Sequence, residues 1–262
     1  MSGPGTFPNG VYLISSGSSA TSPGIIDSAY TVTFGNGSFN INDGISTGGG
    51  SNLTFGSQGL TGDVFQVAVT PASGSSAGVA ISTGGGGSLT IGSFPNIDLN
   101  GAMNVTGNLN LGAGVYTING AFDAAASGGD SITGGTSGAG GNGTQIIAAG
   151  QVTLGQGYDS VSLTAPTALS SSSEGQFATV ALASQSSLAS SITQGASGTD
   201  IVGALYLPNS PLTLSGAGAL SAGGSCLIVV ASTLTVSGAG SVSTNCPNLS
   251  TTSASASVSL IE

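Results

Sequence analysis

Short triplets of apolar, polar and apolar residues recur along this chain and are its most regular feature. They occur at residues 53–55, 89–91, 97–99, 103–105, 109–111, 152–154, 161–163, 212–214 and 234–236. In a strand, this alternation places the two apolar side chains on one face and the polar one on the other. Strands of three residues are too short to persist as isolated hairpins. The pattern therefore favours short strands that stack on one another.

One of these triplets belongs to a longer internal repeat. The sequence Leu-Thr-Leu-Ser-Gly-Ala-Gly at 212–218 returns as Leu-Thr-Val-Ser-Gly-Ala-Gly at 234–240, 22 positions later. Self-similarity at a fixed offset indicates one supersecondary unit that stacks on its neighbour. Because the unit is too short for two helices and a turn, it predicts one coil of a parallel β-helix. We expect a single β-solenoid domain over residues 1–250, with weaker coils at 1–111, regular coils at 112–246 and a tail at 251–262.

Turn-forming residues separate the predicted strands and leave a second architecture open. Asn-Gly occurs at residues 9–10, 36–37, 100–101, 119–120 and 142–143. This dipeptide is the preferred turn of antiparallel hairpins. An antiparallel β-sandwich is therefore the alternative fold. The repeat and the very short strands favour solenoid corners instead.

Charge limits the partners of this chain severely. The 262 residues include no Lys, Arg or His, and ten Asp and Glu residues give a formal net charge of −10. Nucleic acids and anionic membranes are bound through cationic side chains, so both are excluded as partners. Hydrophobic residues make up 39% of the chain and charged residues only 4%, which is the opposite of the composition of disordered segments.

The same absence removes most enzymatic chemistry. Catalysis by a Ser-His or Ser-Lys pair has no base here, and polyuronate-cleaving β-helix enzymes need cations that this chain lacks. The carboxylates are scattered singly and form no pair suited to glycoside hydrolysis. We expect a non-catalytic protein without a cofactor or a metal. Isolated Gly-Asp pairs at 62–63 and 129–130 are interpreted as turns, with incidental calcium binding as the alternative.

Two cysteines lie about one coil apart near the C-terminus. Cys226 and Cys246 are 20 positions apart, which would place them above one another in a solenoid. A disulfide between them would close the last coil and stabilise it by roughly 3 kcal/mol. Two buried free thiols are the alternative. The disulfide would indicate an oxidising compartment.

The second half of the chain resembles a known family. The segments Gly-Val-Tyr-Thr-Ile-Asn-Gly at 114–120, Gln-Ile-Ile-Ala at 145–148 and Gly-Ala-Leu-Tyr-Leu-Pro-Asn at 203–209 precede the two cysteines in order. This order resembles the C-terminal β-helical region of TadG-like proteins of tight-adherence (Tad) pilus systems, over about residues 112 to 246. The resemblance implies a solenoid fold, an envelope or surface location and a disulfide between Cys226 and Cys246.

A solenoid with open ends predicts self-association. Terminal coils leave backbone N–H and C=O groups that a second copy can pair. The N-terminal apolar segment is the candidate subunit contact strand, through Phe7, Val11, Tyr12, Leu13 and Ile14. We therefore expect an extracellular or cell-surface bacterial protein that assembles with itself, head to tail, into a filament or surface layer, with adhesion as a candidate further role.

A binding module is the alternative function. Outward Thr residues could order ice, and outward hydroxyl groups could bind a neutral polysaccharide. The candidate Thr residues are Thr31, Thr33, Thr54, Thr90, Thr153, Thr213, Thr233 and Thr235.

The charge composition predicts unusual tolerance of acid. At low pH the carboxylates become neutral, and no cationic side chain is present to build up repulsion. We expect the β circular dichroism spectrum at about pH 2 to match the spectrum at neutral pH. Loss of the β signal after acid incubation would contradict this. Trypsin, which needs Lys or Arg, should not cleave the chain.

Overall fold

A computed structural model gives the fold of the chain. It describes residues 3–15, 23–27, 29–56, 63–69, 78–126, 128–135, 143–166, 180–194, 198–216, 219–221, 227–238 and 241–242. These residues contain 25 strands and no helix, so no helix among them is long and apolar enough to span a membrane.

The strands, numbered in chain order, form three faces of one coil stack. The first face contains β1 Gly5–Phe7, β4 Thr31–Phe34, β7 Asn52–Phe55, β10 Ser88–Ile91, β13 Asn108–Leu111, β16 Ser131–Gly134, β19 Ser160–Thr164, the start of β22 Thr199–Gly216, β23 Ala219–Ser221 and β25 Ser241–Val242. The second face contains β2 Gly10–Ile14, β5 Gly37–Asn42, β8 Phe65–Ala68, β11 Asn96–Asn100, β14 Gly114–Ile118, β17 Thr144–Ala148, β20 Val180–Ser184, the middle of β22 and the start of β24 Leu227–Val236. The third face contains β3 Ile25–Asp27, β6 Ile45–Thr47, β9 Val79–Thr83, β12 Ala102–Val105, β15 Phe122–Ala125, β18 Val152–Gln156, β21 Ser190–Gln194 and the ends of β22 and β24.

Every pairing between the described strands is parallel, and each strand pairs with the strand one coil away. The sequence repeat marks this stacking directly, because Leu212 pairs with Leu234 and Leu214 with Val236. The predicted parallel β-helix is therefore confirmed, and the alternative antiparallel sandwich is wrong. The sandwich fails because the described Asn-Gly corners, at residues 9–10, 36–37, 100–101 and 119–120, lead into a strand on the next face instead of reversing the chain beside the same strand.

Coil length varies widely although inward residues stay stacked, with a register shift in four of the described pairings. Leu89 pairs with Leu109, 20 residues later, whereas Val161 pairs with Thr199, 38 residues later. Additional residues lie between strands, so they lengthen a corner without changing the ladder. The described stack runs continuously from Gly5 to Val242, and the predicted tail at 251–262 lies outside the described residues.

The core is a narrow column of inward side chains. In the first coils it is aromatic: Phe7 stacks on Phe34, and Phe34 stacks on Phe55, with ring centroids 4.7 and 5.2 Å apart. These separations follow the spacing of about 4.8 Å between paired strands. Later coils replace the rings with aliphatic residues such as Leu109 and Leu154, both fully buried. Stacking of like side chains keeps the column continuous.

Glycine occupies corners where the backbone of the next coil approaches closely. Gly37 has a φ of 150°, and a Cβ placed there would collide with the carbonyl oxygen of Gly10. It follows Asn36, whose carbonyl oxygen accepts the Gly10 N–H at 2.9 Å. The Asn-Gly pair thus serves as a solenoid corner that holds two coils together.

Candidate functional site

The N-terminal end of the described stack carries partly uncovered apolar side chains. Phe7 is 37% exposed, and Tyr12 and Ile14 are half-buried against the core below them. Val11 and Leu13, which point outward from the same strand, are 74% and 78% exposed. All five residues of the predicted contact strand therefore lie at one end, in β1 and β2. Of these, Phe7, Tyr12 and Ile14 form what we call the N-terminal plate.

The opposite end of the described stack has the same character. Leu234 and Val236 continue inward columns in which Leu212 and Leu214 are buried, yet they are 51% and 52% exposed. Val229 is half-buried at the same end. Leu234, Val236 and Val229 form what we call the C-terminal plate. This plate was not predicted from the sequence, although the repeat copy at 234–240, which begins with Leu234, could have indicated it.

Backbone groups at both ends of the described stack face away from the neighbouring coil, on the second face in β2 and on the third face at the end of β24. Gly10 N–H donates to Asn36 O, so alternate residues of β2 face β5, and Val11 and Leu13 aim their backbone groups the other way. At the other end, Ser237 N–H donates to Leu214 O at 2.9 Å. By the same alternation, Val236 aims its backbone groups away from β22. Among the described strands, β2 pairs only with β5 and β24 only with β22.

The first face presents a regular outward array of small polar side chains, which we call the polar array. It has two columns, which lie two residues apart along each strand and flank one inward residue. The first column is Thr31, Asn52, Ser88, Asn108, Ser131 and Ser160, and the second is Thr6, Thr33, Thr54, Thr90, Asn110, Thr133 and Ser162. The repeat is about 4.8 Å between strands and about 6.7 Å along a strand. All described members are half-buried or exposed.

Hydrogen bonds between coils order part of this array. Ser88 Oγ donates to Asn52 Oδ1 at 2.7 Å, and Thr133 Oγ1 donates to Asn110 Oδ1 at 2.6 Å. Asn110 Nδ2 donates in turn to Thr90 Oγ1 at 3.4 Å. These ladders restrict side-chain rotamers before any ligand is bound.

The predicted Thr set does not form a single surface. Thr31, Thr33, Thr54 and Thr90 lie on the first face, as members of the polar array. Thr153, Thr213 and Thr235 lie in an outward column of the third face, in register through Ser191. The first face completes its ladder with Asn and Ser, which a search for Thr alone misses.

A groove lies on the outer side of the second face. Its volume is about 1060 Å³, and it is lined by outward residues of β11, β14, β17, β20 and β22, among them Asp98, Thr117, Ile147 and Tyr206. Tyr206 is 45% exposed in this groove.

Two other tyrosines are structural. Tyr116 is buried and donates to Gly112 O at 3.1 Å, and Tyr158 donates to Gly107 O at 2.9 Å. Burial raises the pKa of both hydroxyl groups, and for Tyr158 the charges of Asp130 and Asp123 add to this effect. Both therefore stay protonated donors. Tyr116 bonds a residue of its own coil, four positions earlier, whereas Tyr158 ties one coil to another.

One carboxylate lies in the core instead of at a corner. Asp27 is fully buried in the inward column that continues through Thr47 and Thr83. Its Oδ1 accepts the Tyr30 N–H at 3.2 Å, and its Oδ2 has no partner among the described atoms. The sequence hides this position because Asp27 follows two adjacent isoleucines, Ile25 and Ile26, and alternation alone does not show which of the two faces inward.

Asp130 shows how the acidic groups interact across coils. Burial raises the pKa of Asp130, and the nearby charge of Asp159 raises it further. Asn108 Nδ2 donates to Asp130 Oδ1 at 3.0 Å, and Asp159 N–H donates to Asp130 O at 2.9 Å. Within the described residues, no group of three or more potential metal-ligating side chains occurs.

The remaining predicted site lies outside the described residues. This site consists of Cys226 and Cys246, so the disulfide between them stays a prediction. No family model matches this chain, and no curated protein or solved structure is significantly similar to it. The resemblance to TadG-like proteins also stays a prediction.

Asp130 provides a test of the acidic interactions. Because its pKa is raised in the folded state, protonated Asp130 stabilises the fold. This contribution to the free energy of unfolding is fully present below the ordinary pKa of 3.8 and is lost as the pH rises through the raised pKa. Asp130→Asn keeps the acceptor for Asn108 and removes the charge. We expect a higher melting temperature than wild type at neutral pH and no difference in acid, measured by circular dichroism.

The exposed carboxylate Asp98 supplies the matched control. Asp98→Asn should change the melting temperature at neutral pH by less than Asp130→Asn does. An Asp130→Asn variant that is less stable than wild type at neutral pH would contradict the electrostatic interpretation.

Proposed function

We propose that this protein is a non-catalytic structural component of the bacterial cell surface that assembles head to tail into filaments. The observation that carries the proposal is that both described ends leave backbone groups facing away from the stack beside partly exposed apolar side chains. One end has outward-aimed backbone groups at Val11 and Leu13, and the other has them at Val236. Joining two copies would continue the parallel ladder across the junction.

Side-chain packing supports the same junction. Continuing the inward column of the second face would bring Tyr12 of one copy over Val229 of another. In the described structure Phe7 stacks on Phe34 with one face of its ring, and the residue is 37% exposed. Covering the half-exposed apolar residues of both plates would stabilise the contact by about 25 cal/mol per Å² of apolar surface buried.

Charge adds a pH dependence to this assembly. Each copy has a formal net charge of −10, so copies repel one another at neutral pH. Protonation of the carboxylates in acid removes the repulsion without creating positive charge. Filaments should therefore be longer in acid or in added salt, which screens the repulsion. The predicted pilus relationship and adhesive role belong to this proposal.

Leu13→Pro tests the junction. Proline removes the N–H that faces away from β5 and is tolerated on a strand edge that faces solvent. We expect wild-type protein to form filaments in negative-stain micrographs and to sediment as polymers, and Leu13→Pro to sediment as monomers with unchanged β circular dichroism.

Leu13→Ser is the matched control, because it shortens the same side chain and keeps the backbone donor. It should still polymerise. Monomeric wild-type protein at both neutral and acid pH would overturn the proposal, and so would filaments of Leu13→Pro equal to those of wild type.

A second candidate function is ice binding by the polar array. The observation that favours it is the two-column lattice on the first face, with Thr33, Thr54 and Thr90 in register on successive coils. A flat lattice with repeats of about 4.8 and 6.7 Å can order water molecules at a spacing comparable to that of an ice surface.

A bulky residue in the array tests this candidate. Thr54→Tyr would project above the lattice and should abolish thermal hysteresis and ice-crystal shaping, whereas Asn40→Tyr on the second face should not. Absence of thermal hysteresis in the wild-type protein would remove the candidate. So would activity that Thr54→Tyr leaves unchanged.

A further inference from the structure

The groove on the second face has a floor that crosses five coils. Its outward column runs through Asp98, Thr117, Ile147, Ala183 and Tyr206, which are paired in register from strand to strand. Four steps between strands give a length of about 19 Å along the stack. The site is therefore elongated and suits an extended ligand.

The floor changes character along this length. Beyond the N-terminal end of the groove, the same column continues through the polar residues Gln66 and Asn40, which do not line it, and Gln66 Nε2 donates to Asp98 Oδ2 at 3.5 Å. Toward the C-terminal end the column becomes apolar, and Tyr206 presents an exposed ring. A ligand in this part of the groove would therefore contact aliphatic side chains and the Tyr206 ring.

Amide side chains line one rim. Asn119 Nδ2 donates to Asn100 Oδ1 at 2.9 Å across neighbouring coils. Among the described residues, Asn100 Nδ2 and Asn119 Oδ1 have no further protein partner, so the pair offers one donor and one acceptor. Gln185 lies at the same rim, and Asn209 Nδ2 donates to its carbonyl oxygen at 3.2 Å.

The other side of the groove is also bounded. Val115 and Gln145 point outward from β14 and β17, yet they are 2% and 0% exposed. Gln145 Nε2 donates to Val180 O at 3.2 Å, and Val180 lines the groove. The floor therefore lies between two built sides and is not an open sheet surface.

We propose that this groove binds an extended, neutral polysaccharide. The chain has no cationic side chain, so an anionic glycan would meet Asp98 and a net negative protein without any compensating charge. A purely apolar ligand would desolvate Asp98 and the rim amides without giving them partners. A neutral sugar chain offers C–H surface to the Tyr206 ring and hydroxyl groups to the amides.

This site is separate from the plates at the stack ends, so the inference goes beyond the proposed assembly. A filament built from such subunits would carry one groove per copy along its side. Repetition of a weak site along a polymer would raise its overall avidity for a long polysaccharide.

Binding to defined polysaccharides tests the inference. The probes are dextran, laminarin and mannan as neutral chains and polygalacturonate as the anionic chain, in affinity electrophoresis and calorimetry. We expect binding to at least one neutral chain and none to polygalacturonate. Tyr206→Ala should weaken that binding by about fivefold or more, and Tyr206→Phe should retain it.

The rim amides supply a second, matched pair of variants. Asn119→Ala should weaken binding, whereas Asn40→Ala, an exposed Asn of the same face outside the groove, should not. Failure of every neutral probe, preference for polygalacturonate, or binding unaffected by both Tyr206→Ala and Asn119→Ala would overturn the inference. Because these variants leave the plates intact, sedimentation of the same samples reports on filament assembly independently.

Discussion

The whole structure depends on parallel hydrogen-bond ladders that run unbroken from coil to coil. Each short strand has few residues and gains stability only because its backbone groups are paired above and below. The inward column beneath the ladder does the same for side chains, as in the stack of Phe7, Phe34 and Phe55. The same dependence means that the end coils of the described stack are the least satisfied parts of the molecule.

This arrangement separates stability from function spatially. Inward positions are held to apolar residues with few exceptions, of which buried Asp27 is one. Outward positions carry no such constraint, so each face can develop its own surface. The first face carries a hydroxyl and amide lattice, and the second carries a groove that ends at Tyr206. Both surfaces inherit the spacing of the strands beneath them.

The absence of cationic side chains links the proposals. It excludes anionic partners for the groove, and it makes repulsion between copies a function of carboxylate ionisation alone. Asp130 illustrates this locally, because burial and the charge of Asp159 raise its pKa. Lower pH therefore relieves the repulsion between these two carboxylates, and in the proposed filament it would also reduce the repulsion between copies.

The sequence by itself determined the parallel β-helix, because alternation in triplets and the repeat at 212–218 and 234–240 are local signals of strand and coil. It also determined which partners are excluded by charge. Only the tertiary structure decided that Thr54 and Thr153 lie on different faces, and that Asn119 and Tyr206 line one groove. Coils of 19 to 38 residues place stacked residues at irregular separations. The register is therefore set by packing of inward columns between distant segments, which no local pattern encodes.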